Sequence, residues 1–201
     1  MNDGPDYVSR AGIKLAHALD EFKLDVRGMH CADFGCNIGG FTDCLLQRGA
    51  RNVIALDTGY GVLDWKLRND PRVLVRERTN VLHAESPEEP VDLVVIDVGW
   101  TPQQRALPVA LSWLGDAGRI VTLVKPHYEL DPLRKKEHLV DGRLEDDMAN
   151  TVLEEVIESI PALGASVIGW SRSPIRGGKS SRKSGTGNAE FLLHLEPLGT
   201  N

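Results

Sequence analysis

In "ADFGCNIGGFTDCLL", residues 32–46, an apolar run leads into a glycine-containing turn and then into the start of a helix, and this order is the most informative feature of the sequence. A strand, a glycine-rich loop and a helix N-terminus form a common nucleotide-binding device, since backbone N–H groups and the helix dipole point at the ligand. The loop lacks the second glycine of G-x-G-x-x-G, which lets a pyrophosphate approach the backbone. This absence disfavours a nicotinamide-dependent oxidoreductase.

The residues around the loop favour a ligand with an amino group over a pyrophosphate. Asp33 opens the loop with a negative charge that would repel phosphates, whereas S-adenosylmethionine carries an ammonium group. The run "NVIALD" ends at Asp57, and an acid at the end of a second strand can accept the hydroxyls of an adenosine ribose. The alternative is that Gly35 and Gly39 only permit a tight turn and that Asp57 only caps a loop. The predicted cofactor-binding residues are Asp33, Gly35, Asn37, Gly39, Gly40, Phe41, Asp57, Thr79, Asn80 and Asp97.

Apolar runs alternate with helical patterns along the rest of the chain, which is typical of βα units around a largely parallel sheet. Two segments fit crossover helices: "FTDCLLQRG", which closes on Gly49, and residues 146–164, whose apolar residues recur at helical spacing. The predicted strands are "HCADF", "NVIALD", "RVLVRE", "DLVVID", "RIVTLV", "ASVIGW" and "EFLLHL".

Composition sets the broad class of the protein. The 201 residues, 41% hydrophobic and 26% charged, suit one domain over 1–201, with an N-terminal helical segment at 1–27 and a Rossmann-like core at 28–201. No apolar run approaches the ~20 residues of a membrane span, and the polar start lacks a signal peptide, so we expect a cytoplasmic protein. The three cysteines cluster around one strand and turn, which favours reduced thiols and no metal site.

Three segments carry a resemblance to a known family: "YVSRAGIKLAHALDEFKLDVRG", "GGFTDCLLQRGARNVIALDTGYGVLDWKLRNDPRV" and "ERTN". They resemble the methyltransferase domain of the TlyA group, ribosomal RNA 2′-O-methyltransferases related to FtsJ and often described as hemolysins. The resemblance implies a class I S-adenosylmethionine-dependent α/β fold, with a seven-stranded, mostly parallel sheet, an antiparallel last strand and helices on both faces. It also implies a Lys-Asp-Lys-Glu catalytic tetrad, which here matches Lys14, Asp97, Lys125 and Glu190.

The chemistry of a ribose 2′-hydroxyl explains such a tetrad. This hydroxyl is a poor nucleophile, so its proton must be withdrawn, or its developing charge stabilised, while it attacks the sulfonium methyl group in line. Lys125 and Asp97 follow strands whose carboxyl ends meet at one edge of the sheet. Whether Lys125 acts as a base or as an oxyanion stabiliser is left open by the sequence.

Two departures from the family pattern affect the expected substrate site. After Asp97 the family usually has a Ser-Phe pair, whereas this chain has Gly99, Trp100 and Pro102, which indicates a different wall. The family usually carries an N-terminal RNA-binding module, but only six residues precede "YVSR". Trp65 and Trp100 could stack on a base or on adenine, but we expect them in the core, where large aromatics are more common.

If RNA is the substrate, phosphate contacts must come from basic residues of this chain, whose net charge is −6. A Gly/Ser-rich loop at 173–188 and its flank could grip phosphates or could be a solvated loop. Its basic residues are Arg172, Arg176, Lys179, Arg182 and Lys183. A second basic cluster, which follows the strand of Lys125, consists of Arg134, Lys135 and Lys136.

The sequence therefore predicts methyl transfer from S-adenosylmethionine to an RNA ribose 2′-hydroxyl, with S-adenosylhomocysteine as product. Ribosomal RNA, free or in a ribosomal subunit, is the expected partner. The alternative is a cofactor-binding relative with reduced catalysis that serves as an RNA-binding or assembly protein. The altered segment after Asp97 motivates this alternative.

Overall fold

The computed structural model describes residues 6–178 and 187–199. Its strands are β1 (His30–Phe34), β2 (Asn52–Leu56), β3 (Val73–Arg76), β4 (Val91–Ile96), β5 (Leu114–Val124), β6 (Ala165–Arg172) and β7 (Phe191–Pro197). They form a central seven-stranded sheet in the order β3-β2-β1-β4-β5-β7-β6. Strand β7 is antiparallel to both of its neighbours, and the other paired strands run parallel. This confirms the predicted seven strands and the antiparallel last strand.

Both predicted crossover helices form. The first ends before Gly49, which has a left-handed φ of 92°, and the α-helical part of the second ends at Ser159, after which the chain forms a 3₁₀ turn over Ile160–Leu163. The helices are α1 (Ala11–Glu21), α2 (Gly40–Gln47), α3 (Trp65–Arg68), α4 (Gln103–Trp113), α5 (Pro126–Glu129), α6 (Pro132–His138) and α7 (Asp146–Ser159), with a further 3₁₀ turn over Val81–His83. Within the described ranges, no helix is long and apolar enough to cross a membrane.

Two apolar clusters cover the two faces of the sheet. On one face, residues of α4 and α7 pack against the sheet, and on the other face α1 and α2 do so. Strand β4 serves both, because Val94 and Ile96 belong to the first cluster whereas Leu93 and Val95 belong to the second. The helices therefore lie on both faces, as predicted.

The three cysteines are free and buried around β1 and α2. Burial raises the pKa of Cys31 to about 12 and that of Cys44 to about 12. The pKa of Cys36 is also raised, again mainly by burial. The thiols are therefore protonated near neutral pH and pack as small apolar groups.

Glycines allow the close approaches that shape the carboxyl edge of the sheet. Gly35 has a φ of 88°, and a Cβ there would lie 2.8 Å from the carbonyl oxygen of Asp97. A Cβ at Gly40 would lie 2.8 Å from the backbone nitrogen of Gly12, at the contact between α1 and α2. The loops after β1 and β4 can therefore approach each other, and α1 can pack beside the start of α2.

Candidate active site

A groove of about 2390 Å³ lies at the carboxyl edge of the sheet. It is lined by residues from the loops after β1, β2, β4 and β5, and from α1 and the segment before β7. The predicted site residues among them are Lys14, Gly35, Asn37, Phe41, Asp57, Thr79, Asn80, Asp97, Lys125 and Glu190. Residues that are far apart in the sequence thus line one groove.

Lys125 and Asp97 form an ion pair where β5 and β4 end. The Nζ of Lys125 lies 2.5 Å from Oδ1 of Asp97 and also donates a hydrogen bond of 3.1 Å to the carbonyl oxygen of Val98. The side chains of Lys125 and Asp97 are 13% and 18% exposed, so the pair is shielded but reachable from the groove. The carboxylate therefore fixes the position of the amine at the groove.

Lys14 and Glu190 form a second, more buried ion pair. The Nζ of Lys14, on α1, lies 2.5 Å from Oε2 of Glu190, which immediately precedes β7. Burial raises the pKa of Glu190, and the charges of Lys14 and Lys125 oppose that rise. Because Lys125 and Asp97 both influence Glu190, the two ion pairs form one electrostatic group.

Asp57 joins the glycine loop to the end of β2. Its Oδ2 accepts a hydrogen bond of 2.9 Å from the backbone N–H of Asn37, and its Oδ1 accepts one of 2.7 Å from that of Gly59. Its carbonyl oxygen accepts from the N–H of Thr79 at 2.9 Å. The side chain of Asn80 caps the next 3₁₀ turn, where its Oδ1 accepts from the N–H of Leu82 at 3.0 Å. The Asp57 carboxylate is therefore held in a fixed orientation beside the groove.

Three predicted cofactor-binding residues do not line the groove. Asp33 is fully buried, and its Oδ2 accepts from the N–H of Thr42 at 2.9 Å and from its hydroxyl at 2.7 Å. Burial raises the pKa of Asp33 to about 7. Gly39 precedes α2 with a φ of 104° and packs under Leu67. Gly40 is placed at the contact between α1 and α2 instead. All three therefore support the loop on the side away from the groove.

The expectation that Trp65 and Trp100 belong to the core is wrong. Trp65 is 76% exposed and Trp100 is 83% exposed. Trp100 has a left-handed φ of 54° and lines the groove. The backbone turn rather than the apolar character of the ring decides its position.

Sequence reasoning missed Tyr128 and His127, which line the groove after Lys125. The ring of Tyr128 lies 5.8 Å from that of Trp100, and the Nζ of Lys125 lies 5.9 Å from the ring of Tyr128. Burial lowers the pKa of His127 to about 4, which leaves it neutral near pH 7. Their position directly after Lys125 in "KPHYE" was the available signal.

The two predicted basic clusters differ in how far carboxylates neutralise them. In the 172–183 set, Arg172 and Arg176 both pair with Asp146, at 2.5 and 2.6 Å, while Lys179, Arg182 and Lys183 lie outside the described residues. In the second cluster, Arg134 pairs with Glu155 at 2.6 Å. Lys135 lines the groove and donates a hydrogen bond of 3.4 Å to the carbonyl oxygen of Tyr128.

Residues 7–189 match the model of the FtsJ-like methyltransferase family. The chain belongs to this family. The chain is 40% identical over 194 residues to the presumed rRNA methyltransferase YqxC of Bacillus subtilis, a match that covers 94% of this chain and 65% of YqxC. It is also 40% identical over 194 residues to the 16S/23S rRNA (cytidine-2′-O)-methyltransferase TlyA of Mycobacterium tuberculosis, covering 94% of this chain and 68% of TlyA.

Solved structures agree with this family assignment. A presumed hemolysin from Streptococcus thermophilus is 38% identical, with a TM-score of 0.88, and the match covers 100% of this chain and 70% of that chain. The S-adenosylmethionine-dependent methyltransferase from Mesorhizobium loti is 13% identical with a TM-score of 0.62, covers 89% of this chain and 95% of that one, and shares the fold alone. The chain therefore has the predicted class I fold. It spans about two thirds of YqxC and TlyA.

Proposed function

We propose that this FtsJ-like methyltransferase transfers a methyl group from S-adenosylmethionine to a 2′-hydroxyl of RNA, with S-adenosylhomocysteine as the second product. The observation that carries the proposal is the shielded Lys125–Asp97 pair, which shares one groove with the Asp57 carboxylate. Ribosomal RNA is the proposed substrate, because the relative TlyA is named for that activity. The proposal includes a cytoplasmic location, as expected for an enzyme that acts on this RNA.

The donor groups of the groove suit the parts of the cofactor. A carboxylate such as Asp57, fixed by two backbone hydrogen bonds, has lone pairs left to accept ribose hydroxyls. Gly35, Asn37 and Phe41 would hold the methionine end, and Thr79 or Asn80 would lie near adenine. Asp33, Gly39 and Gly40 would support this loop without direct contact. When bound, the cofactor supplies the electrophilic sulfonium methyl group.

Lys125 is the residue proposed to act on the nucleophile. In methyl transfer the 2′-oxygen forms a bond to the methyl carbon, the carbon–sulfur bond breaks, and the hydroxyl proton leaves. A neutral Lys125 would take that proton, whereas a charged Lys125 would stabilise the developing negative charge on the oxygen while solvent water takes the proton. The ion pair with Asp97, in which Oδ1 lies 2.5 Å from Nζ, favours the second role.

The Lys14–Glu190 pair would complete the tetrad beside Lys125. Glu190 is 4% exposed and is held by Lys14, so its position depends on α1 and on the segment before β7 together. Through Glu190, Lys14 would be linked electrostatically to the Lys125–Asp97 pair.

The test is the Lys125→Ala variant, assayed for methyl transfer to bulk RNA and for S-adenosylmethionine affinity. We expect turnover to fall by about 100-fold or more, the scale of a lost acid–base or oxyanion group, with cofactor affinity within about twofold of the wild-type value. Lys66→Ala is the matched control, because Lys66 also faces an aspartate, Asp43, but does not line the groove. Equal losses of turnover and affinity would contradict this role for Lys125.

Lys125→Arg separates the two roles of the amine. Arginine keeps a positive charge but is not deprotonated in proteins, so partial activity indicates charge stabilisation and a loss equal to that of Lys125→Ala indicates a base.

A second candidate function is a cofactor-binding protein with reduced catalysis that binds RNA or assists assembly. Trp100 is exposed and lies in the segment after Asp97, where the sequence differs from the family pattern. This difference favours the second function. A wild-type protein that binds both RNA and S-adenosylmethionine but transfers no methyl group would support this function.

A further inference from the structure

The positively charged side chains that line the groove fall into two classes. Lysine and arginine contribute five lining side chains within the described part of the chain, namely Arg10, Lys14, Arg48, Lys125 and Lys135. Three of them face a carboxylate at 2.5 Å: Lys14 faces Glu190, Arg48 faces Asp20 and Lys125 faces Asp97. Arg10 and Lys135 form no ion pair with any residue of the described ranges. Within the described residues, the positive charge of the groove that no carboxylate pairs with therefore lies at two positions.

The hydrogen bonds of these two side chains are long. Nη2 of Arg10 donates to the carbonyl oxygen of Gly178 at 3.5 Å, and Nζ of Lys135 donates to that of Tyr128 at 3.4 Å. Hydrogen bonds of that length are weak, and both groups keep further N–H donors. Arg10 and Lys135 can therefore bind an anion without breaking an ion pair.

The two cations are associated with different residues of the proposed tetrad, Arg10 with Lys14 and Glu190 and Lys135 with Lys125. Arg10 directly precedes α1, the helix that carries Lys14, and it contacts the segment next to Gly177, which packs on Glu190. Lys135 lies on α6 and contacts Tyr128, whose ring is near Lys125. A strand that places one ribose at Lys125 has a phosphate on each side of that ribose, so two separate cations suit it better than one cluster.

We infer that Arg10 and Lys135 bind the backbone phosphates on either side of the nucleotide whose ribose faces Lys125. This inference rests on the proposed function and adds how the RNA strand is held. Arginine can engage a phosphate with two parallel hydrogen bonds, and lysine acts as a point charge. The cofactor is a less suitable anion for both positions, because its carboxylate would lie at the glycine loop and is a single group.

The paired state of three other basic residues supports the choice. Arg172 and Arg176 share Asp146, and Arg134 is held by Glu155, so a phosphate would have to compete with a carboxylate for each of them. Displacing such a partner costs part of the interaction that the phosphate provides. A phosphate that binds Arg10 or Lys135 displaces no carboxylate of the described residues.

The experiment measures the affinity of the full chain for a labelled single-stranded RNA of mixed sequence over a series of salt concentrations. Arg10→Gln and Lys135→Gln should each weaken binding and lower the slope of log K against log salt by about 0.7, the value for one contact on single strands, and the double variant by about 1.4. The S-adenosylmethionine affinity should stay unchanged. Lys23→Gln is the matched control, because Lys23 is exposed, has no ion-pair partner in the described ranges and does not line the groove.

The outcomes separate this inference from the function on which it rests. If wild-type protein binds and methylates RNA but the double variant keeps the wild-type slope, the inference is overturned and the function stands. If the slope falls only in an Arg172→Gln/Arg176→Gln variant, the phosphates bind at the loop that follows β6, and the inference is again overturned. If wild-type protein neither binds nor methylates RNA, both fail together.

Discussion

The carboxylate of Asp57 is proposed to bind the cofactor and also accepts two backbone hydrogen bonds. A single substitution can separate its effects on affinity and on stability. We expect Asp57→Ala to weaken S-adenosylmethionine binding by more than tenfold, because a group that accepts ribose hydroxyls is lost. Stability should fall by only about 1–3 kcal/mol, since the N–H groups of Asn37 and Gly59 lose an acceptor near solvent. Calorimetric titration and urea unfolding measure the two effects.

Asp64→Ala is the control for this variant. Asp64 also accepts a backbone hydrogen bond, from Lys66 at 2.9 Å, but does not line the groove. It should reduce stability and leave cofactor affinity intact. An unchanged affinity in Asp57→Ala would remove Asp57 from the cofactor site.

The buried carboxyl group of Asp33 makes stability depend on pH. Its pKa is about 7 in the folded protein against an ordinary value of 3.8, so the folded state holds a proton that the unfolded state has released. The free energy of unfolding should therefore decrease as pH rises from about 4 to about 7 and change little from this group above that range. Asp33→Asn removes the titration. The difference in unfolding free energy between wild type and variant, measured by urea denaturation across this range, should show this trend, and a pH-independent difference would contradict it.

The contact between α1 and α2 depends on a glycine. We expect Gly40→Ala to destabilise the protein by about 1–3 kcal/mol, the usual cost of overpacking, because the new Cβ would lie 2.8 Å from the backbone nitrogen of Gly12. It should also lower activity, since α1 carries Lys14. Gly99→Ala is the control, because a Cβ there meets open space. Equal melting temperatures for the two variants would exclude this account of Gly40.

Elements differ in how well the sequence predicts them, for physical reasons. The seven strands were predicted because each is a compact apolar run bounded by turn residues. Helix α4 was not predicted, since it contains Pro108 and a mostly polar first turn, and α3, α5 and α6 are too short to show a period.

The candidate site was predicted as a set of residues but not as a geometry. The resemblance to the TlyA group supplied Lys14, Asp97, Lys125 and Glu190 as candidates, but which lysine faces which carboxylate depends on how α1 packs beside β7. The exposure of Trp100 was mispredicted because a left-handed turn directs that ring outward. Such turns depend on neighbouring segments and leave little trace in one sequence.

At the scale of the whole molecule, a net charge of −6 means that RNA can be held only where positive charge is locally uncompensated. Asp146 illustrates compensation, because hydrogen bonds from Arg176 and then Arg172 lower its pKa to about 2. We therefore expect Arg172→Gln/Arg176→Gln to leave the salt dependence of RNA binding near the wild-type value. The pKa of Asp146 should rise towards its ordinary range, which NMR titration of the carboxyl carbon measures. A flatter salt dependence would restore the loop at 173–188 as a phosphate contact.

Lys14 and Glu190 are 176 positions apart, so the two partners of this ion pair are synthesised at different times. At about 5–20 residues per second, roughly ten to thirty-five seconds pass between the synthesis of the two partners. The residues proposed for the cofactor, except Asp97, are complete by Asn80, whereas β7 must still insert between β5 and β6 to bring Glu190 to Lys14. A nascent chain therefore has the proposed cofactor loop well before it has the buried ion pair.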